Sequence, residues 1–329
     1  MVLSPEPDAP HARPVKRVLV LSYSQTGQLA AITRSILAPL QADPRVAVHI
    51  EPLQPLPAFP YPWPLRRFFD AFPESAGLAP APLAPLTLRG DEAFDLVILP
   101  WQVWFLAPSQ PVTAFLQHPL AARLLAGKPV VSVIACRNMW MLAFEKFRQL
   151  LTGCQARLCD NVVLTDRSPT LVTLVTTPLW LLTGRRQALR WLPRAGVSDT
   201  EIARCERFGR ALAEALAADR ERDAAPLLAG LDAVRADPRL YASECAGTRS
   251  FRAWGRLLRA AGGPGAPRRQ ALVYAYLVFL VLMILCVVPF SLAAQALVRP
   301  LLARRLAALK ARFEFPSGSG TERLTHYES

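Results

Sequence analysis

The chain has 329 residues, is 52% hydrophobic and 19% charged, and carries 38 Lys plus Arg against 25 Asp plus Glu, a formal net charge of +13. An apolar fraction this high excludes a disordered or collagen-like chain, and the length allows one α/β domain with appendages. The basic excess does not mark a nucleic-acid binder: lysine stands only at Lys16, Lys128, Lys146 and Lys310, and the charge is concentrated in one region.

In chain order, the Pro-rich residues 1–15 are expected to be disordered and do not read as a secretory signal peptide. Arg17 to Leu21 is a short apolar run suited to a buried parallel strand. It is followed by Ser22-Tyr23-Ser24-Gln25-Thr26-Gly27-Gln28 and then by Leu29, Ile32, Ile36, Leu37 and Leu40 at helical spacing. Further strands fit Val46–Ile50, Phe94–Pro100, Pro129–Ala135 and Asn161–Thr165, with helices over Pro111–Leu125 and Trp140–Leu151. This alternation predicts an α/β fold with a doubly wound, five-stranded parallel sheet within residues 16–220. Residues 52–87 interrupt it with ten prolines and Phe59, Tyr61, Trp63, Phe68, Phe69 and Phe72. So long an irregular insertion reads as a substrate lid or as a linker.

Leu171–Leu182 is apolar but too short to span a bilayer, and reads as a core helix or an interfacial patch. Ser198-Asp199-Thr200-Glu201 is a capping box opening a helix to about residue 218. Residues 221–270 are expected to form a helical linker holding a basic amphipathic helix, with Phe251, Trp254, Leu257 and Leu258 opposite Arg249, Arg252, Arg256 and Arg259, suited to anionic lipid or, alternatively, to docking on its own domain.

Residues 1–184 are nearly balanced at +3, whereas 185–329 carry +10. Between Cys245 and Phe313 there is no acidic residue, and Ala271–Val298 runs 28 residues without any charge. At about 1.5 Å per residue such a run can cross a hydrocarbon core about 30 Å thick, so one transmembrane helix is expected, kinked at Pro289. Five basic residues flank it on each side, which gives the positive-inside rule no preference. Residues 299–329 are expected to form a second basic amphipathic helix, with Leu302, Leu306, Leu309 and Phe313 on one side, and then a disordered tail. The six cysteines form no CxxC pair and no ligand cluster with histidine, so no metal site is expected.

Ligands of open parallel sheets bind beyond the carboxyl ends of the strands. There, Ser22, Ser24 and Thr26 with the backbone amides of Gln25, Gly27 and Gln28 form a phosphate cradle at a helix N-terminus. The loops at 101–109 and 136–140 add Trp101, Gln102, Trp104, Cys136, Asn138 and Trp140, either as walls for a planar ring or as core anchors. A monophosphate cradle with aromatic walls suggests flavin mononucleotide (FMN). Tyr23, Arg137, Asn138 and Asp166 are the candidate acid–base and carbonyl-stabilising groups, although Asp166 with Arg167 could be a local ion pair only. His118 is expected far from the strand tips.

The run VLVLSYSQTGQL resembles the phosphate loop of flavodoxins, with Gln28-Leu29 standing where those proteins usually place Asn-Thr. Over about residues 15–210, the motifs FPYPWPLRRFFDAFPES, LPWQVWFLAPSQPV, ACRNMWMLAFEK, VVLTDR and PRAGVSD resemble the flavodoxin-like bacterial proteins known as dialkylresorcinol condensing enzymes. That resemblance implies an FMN-dependent oxidoreductase; with the expected span it would sit at the bacterial inner membrane, its N-terminal domain cytoplasmic because no signal peptide is read. It would oxidise a lipophilic dialkyl-cyclohexanedione to the resorcinol alongside biosynthetic partner enzymes. Carbon–carbon condensation is not expected, because no cysteine with a histidine partner is visible. Two other readings remain: an electron-transfer protein or quinone reductase at the membrane, and a flavin-free scaffold.

Overall fold

The computed structural model describes residues 14–287 and 302–327. The expected disorder at residues 1–13, and residues 288–298 of the expected span, lie outside the described residues, as do 299–301 and 328–329.

The strands are β1 (Lys16–Ser22), β2 (Val46–Pro52), β3 (Leu96–Trp104), the two-residue β4 (Ala107–Pro108), β5 (Pro129–Cys136) and β6 (Arg157–Thr165). Five are parallel in the order β2-β1-β3-β5-β6, and β4 folds back antiparallel on β3. Counting the parallel strands alone, this is the 2-1-3-4-5 order of the flavodoxin-like fold, whose switch point lies between β1 and β3. Val18, Leu19, Val20 and Leu21 are all fully buried, as expected when helices cover both faces of a sheet. Helix α1 (Gln28–Ala42) packs against two later helices, Asp199–Arg204 and Glu206–Ala217. The second crosses so closely that a Cβ on Gly209 would lie 1.9 Å from the Ile36 carbonyl oxygen.

Residues 52–87 carry two short helices, α2 (Leu65–Asp70) and α3 (Phe72–Ala76). Between β4 and β6 lie α4 (Gln110–Leu116), α5 (Pro119–Leu125) and α6 (Met141–Gly153), followed by α7 (Thr170–Thr183), α8 (Asp199–Arg204), α9 (Glu206–Ala217), α10 (Tyr241–Ala260) and α11 (Pro267–Leu282). In α7, Thr173, Thr176 and Trp180 point inward while Leu171 and Val175 are exposed, which inverts the usual order and removes the core-helix reading.

The structure departs from expectation in α10. Its apolar side does not lie open for lipid: Phe251, Trp254 and Leu258 pack into a second core with Phe72, Val273 and Tyr276. The insertion is therefore a platform as well as a cover. Arg269, counted in the sequence as a flanking cation, is fully buried between Asp70 and Glu74 at 2.6 Å each and clamps the base of α11 to α2 and α3.

The C-terminal end departs further. Helix α12 (Ala303–Glu314) and the short α13 (Leu324–Tyr327) dock on the sheet domain. Phe313 is buried between Trp140 and Tyr241, and Arg312 pairs with Glu145. The tail expected to be disordered supplies the Ser317 hydroxyl, which donates to buried Asp160 at 2.7 Å, and carbonyls of Gly318 and Gly320 that accept from Val234 and Asp232. The physical reason is the sheet edge. Strand β6 ends the sheet, the Ala233 carbonyl accepts from Val163 N–H, and the tail pairs with that covering segment, so no long edge is left open. The same demand starts β6 at Arg157, four residues before the expected Asn161: Asp160 accepts from Leu227 and Leu228 N–H and from Ser317.

Candidate functional site

A single turn at the switch point joins β1 to α1. Gly27 holds φ 81°, a left-handed value that Gly adopts without strain, and so aims the first amides of α1 back over the sheet. The Ser24 hydroxyl accepts from Ala30 N–H at 3.2 Å, closing the first turn of the helix. Among the described residues, the backbone N–H groups of Gln25, Thr26, Gly27 and Leu29 find no acceptor in the chain. Four free donors at the positive end of a helix are chemically suited to a phosphate.

Beside this turn lies a cavity of about 180 Å³ whose wall includes Thr26, Gln102, Trp104, Arg137, Thr177 and Trp180. Trp104 meets the ring of Tyr23 edge-on at 6.1 Å and the ring of Trp63 at 5.8 Å. The insertion reaches in through Trp63, whose N–H donates to the Leu181 carbonyl of α7. Two polar atoms at the wall, Gln102 Oε1 and Thr177 Oγ, are buried without a partner, as is Asn138 Oδ1 in the adjacent loop. Unsatisfied buried acceptors cost about 1–3 kcal/mol each and fit a polar-edged ligand.

Arg137 is the cation of this wall. It is half-buried and, among the described residues, its guanidinium makes a 3.4 Å contact to the Thr173 hydroxyl and a 3.7 Å contact to the Met139 sulfur, with no carboxylate in ion-pair range. Burial pushes its pKa down from the ordinary value, with Cys136 and Asp166 opposing. Cys136 lies beside it, and burial, reinforced by Glu244, pushes that thiol well up, so it remains protonated at neutral pH and is no nucleophile. Burial likewise raises the Tyr23 phenol, whose OH donates to Gln25 Oε1.

Of the residues singled out in the sequence, Gln25, Thr26, Gln28, Gln102, Trp104, Cys136 and Arg137 line the cavity, and Ser22, Tyr23, Ser24 and Gly27 stand in the adjoining turn. The structure places others differently. Trp101 is fully buried on the Phe147 ring with its indole N–H on Ser132, because β3 alternates and position 101 faces the helices. Trp140 is packed against Phe144 and Phe313. Gln28 spends its side-chain amide on the backbone of Val197, donating at 3.1 Å and accepting at 3.2 Å. Asp166 accepts from Ser168 and Gly196 N–H at 2.9 and 2.8 Å, so it positions a loop and does not face the cavity. That loop covers the β1–α1 turn. A Cβ on Gly196, itself at φ +85°, would come within 2.7 Å of Gln28 and 2.8 Å of Trp180. Thr177, Trp180 and Gly196 were not singled out from sequence. The threonines and tryptophan inside an apolar run, and the PRAGVSD motif, were the available signals. His118 accepts from Leu120 N–H at the start of α5, as a helix cap.

No protein-family profile matches the chain, and no curated protein matches it. Among solved structures it is similar to a flavoprotein in complex with FMN from Lactobacillus acidophilus NCFM, at 13% identity over 45% of this chain and 93% of that one, TM-score 0.37. A flavodoxin from the domain Archaea matches at 13% identity over 61% of this chain and 99% of that one, TM-score 0.33. A flavone reductase matches at 13% identity over 62% and 64%, TM-score 0.34. The strand order and the turn at its switch point define the chain as flavodoxin-like in fold.

Proposed function

We propose that the protein is a membrane-anchored, FMN-dependent oxidoreductase acting on a lipophilic cyclic dione, in keeping with its motif resemblance to the dialkylresorcinol proteins. The observation that carries the reading is Arg137: a half-buried guanidinium with no carboxylate partner among the described residues, in an aromatic-walled cavity at the switch point. Such a cation is costly unless an anion completes it.

FMN would be held at its phosphate by the free amides of Gln25, Thr26, Gly27 and Leu29, with Gln102 and Thr177 offering acceptors to its ring edge and Trp104 its wall. The cavity of about 180 Å³ is below the roughly 300 Å³ of small-molecule pockets, so the cover formed by Trp63 and Trp180 must open to admit it. When bound, the flavin supplies a two-electron acceptor.

The chain's own residues do the rest. A 1,3-dione ionises readily to its enolate, which suits a cavity whose wall contains no carboxylate or histidine. Arg137 pairs with that enolate oxygen and holds the ring. The ring then gives up hydride from one carbon to the acceptor the flavin would supply and a proton from the neighbouring carbon to water, and the resulting resorcinolate, still paired with Arg137, takes one proton back from water to leave as the resorcinol. The protonated Cys136 thiol agrees with oxidation and not with condensation. Membrane residence is supported by the helical run Pro267–Cys286, which begins with α11, is long and apolar enough to cross a bilayer and is mostly unburied, and by the outward Leu171 and Val175 of α7.

The test is purification in detergent with FMN, followed by incubation with a dialkyl-cyclohexane-1,3-dione and an oxidant. Bound flavin that bleaches on adding the dione, with resorcinol formed, is expected. Bound flavin that stays oxidised leaves an electron carrier, and no bound flavin leaves a scaffold.

A further inference from the structure

Both ends of the apolar segment are fixed to the same domain. At its start, Arg269 is buried in the carboxylates of Asp70 and Glu74, and Gly265 N–H donates to Asp70 at 2.8 Å. At its far end, α12 and the tail lie on the sheet domain through Phe313, Arg312–Glu145, Ser317–Asp160 and the hydroxyl of Tyr327 on Glu214 at 2.5 Å. A helix crossing the bilayer once would carry residues 303–327 about 30 Å away, across the hydrocarbon. That would strip Asp160 of its hydroxyl partner, expose Phe313 and uncover the edge beside β6.

The two sides of α11 differ. The inner side of α11 is packed on the second core as far as Phe279 and Leu280, whereas Tyr274, Val278, Leu282 and Leu285 are exposed.

The charges complete the case. Arg252, Arg256 and Arg268 before the segment and Arg304 and Arg305 after it are all exposed. Equal basic flanks are uninformative for a helix that crosses once. They are what a segment needs if both flanks meet the same anionic headgroups.

We infer that the flavodoxin-like domain and the C-terminal tail lie on one and the same face of a bilayer rich in anionic lipid. The surface that meets lipid is the outer side of α11. This inference rests on the membrane residence proposed above but not on flavin binding or on the reaction.

The experiment uses the full chain in bacterial membranes prepared as inside-out and right-side-out vesicles. Exposed Arg89→Cys on the domain and exposed Thr321→Cys in the tail are labelled with a membrane-impermeant maleimide, against the unsubstituted chain as background. Both reporters should label in the same vesicle orientation and be protected in the other, at least tenfold. Labelling from opposite faces would overturn the single-face topology while leaving the protein anchored. Release by alkaline carbonate, or recovery as a soluble dimer, would overturn membrane residence itself and the topology with it.

Discussion

Replacing Arg269 by Met tests whether the insertion and the apolar helix are one structural unit. The guanidinium has no solvent exposure and makes three charge-assisted bonds, to Asp70 at 2.6 Å and to Glu74 at 2.7 and 2.6 Å. Its loss leaves two carboxylates whose side chains are only 12% and 17% exposed. Breaking a buried pair from one side typically costs about 3–5 kcal/mol. Since both carboxylates keep some water and can take up protons, the low end, about 3 kcal/mol, is expected. The assay is urea unfolding in detergent followed by tryptophan fluorescence, with Trp254 reporting on the second core and Trp101 on the sheet. The Trp254 signal should shift to lower denaturant, and adding Asp70→Asn with Glu74→Gln should recover part of the loss. A change below about 1 kcal/mol, or no recovery, would refute the clamp.

Arg137→Met should retain FMN but lower dione turnover by about 10²–10³-fold, the usual cost of deleting one preorganised charge-stabilising donor, as read by resorcinol formation. Gly196→Ala places a side chain at φ +85° against Gln28 and Trp180, and should weaken FMN binding in a fluorescence titration while costing about 1–2 kcal/mol of stability. Gly209→Ala meets backbone at Ile36 and should destabilise by about 3 kcal/mol in a denaturant series, at the upper end of overpacking costs. Burial raises the Asp160 carboxyl to about 6 against the opposing hydrogen bonds from Ser317, Leu227 and Leu228. A carboxyl raised in the folded state favours folding most below its unfolded value, and that contribution is lost as pH rises through about 6. The difference in stability between the native chain and Asp160→Asn should therefore move against the native chain between about pH 4 and pH 6, by up to about 3 kcal/mol at 1.36 kcal/mol per pKa unit. A flat difference profile would refute the assignment.

Much of the site was legible because it depends on local pattern. A buried strand, a hydroxyl-rich turn ending in Gly27 and an amphipathic helix are read from consecutive residues, and they locate the switch-point cradle without any knowledge of distant contacts. The loops after β3 and β5 follow from the same alternation. What local pattern does not resolve is which side of the strand end a side chain takes. Trp101 and Trp104 are three apart in one strand, yet one is core and the other is cavity wall. Gln28 and Asp166 looked like ligand or catalytic groups because their partners, Val197 and Gly196, lie far along the chain.

The apolar and basic character of residues 245–313 was plain from composition, since hydropathy and charge are additive properties that need no neighbours. Only the folded structure decided what those residues touch. Arg269 has carboxylate partners nearly 200 residues away, and Phe313 and Ser317 close the β6 side of the sheet. A Gly/Ser-rich tail has no periodicity that would announce it as an edge cover; its order comes from unpaired backbone on another segment. Whether an apolar segment crosses or returns is likewise set by where its two flanks are bound, which is a property of tertiary contacts and not of the segment.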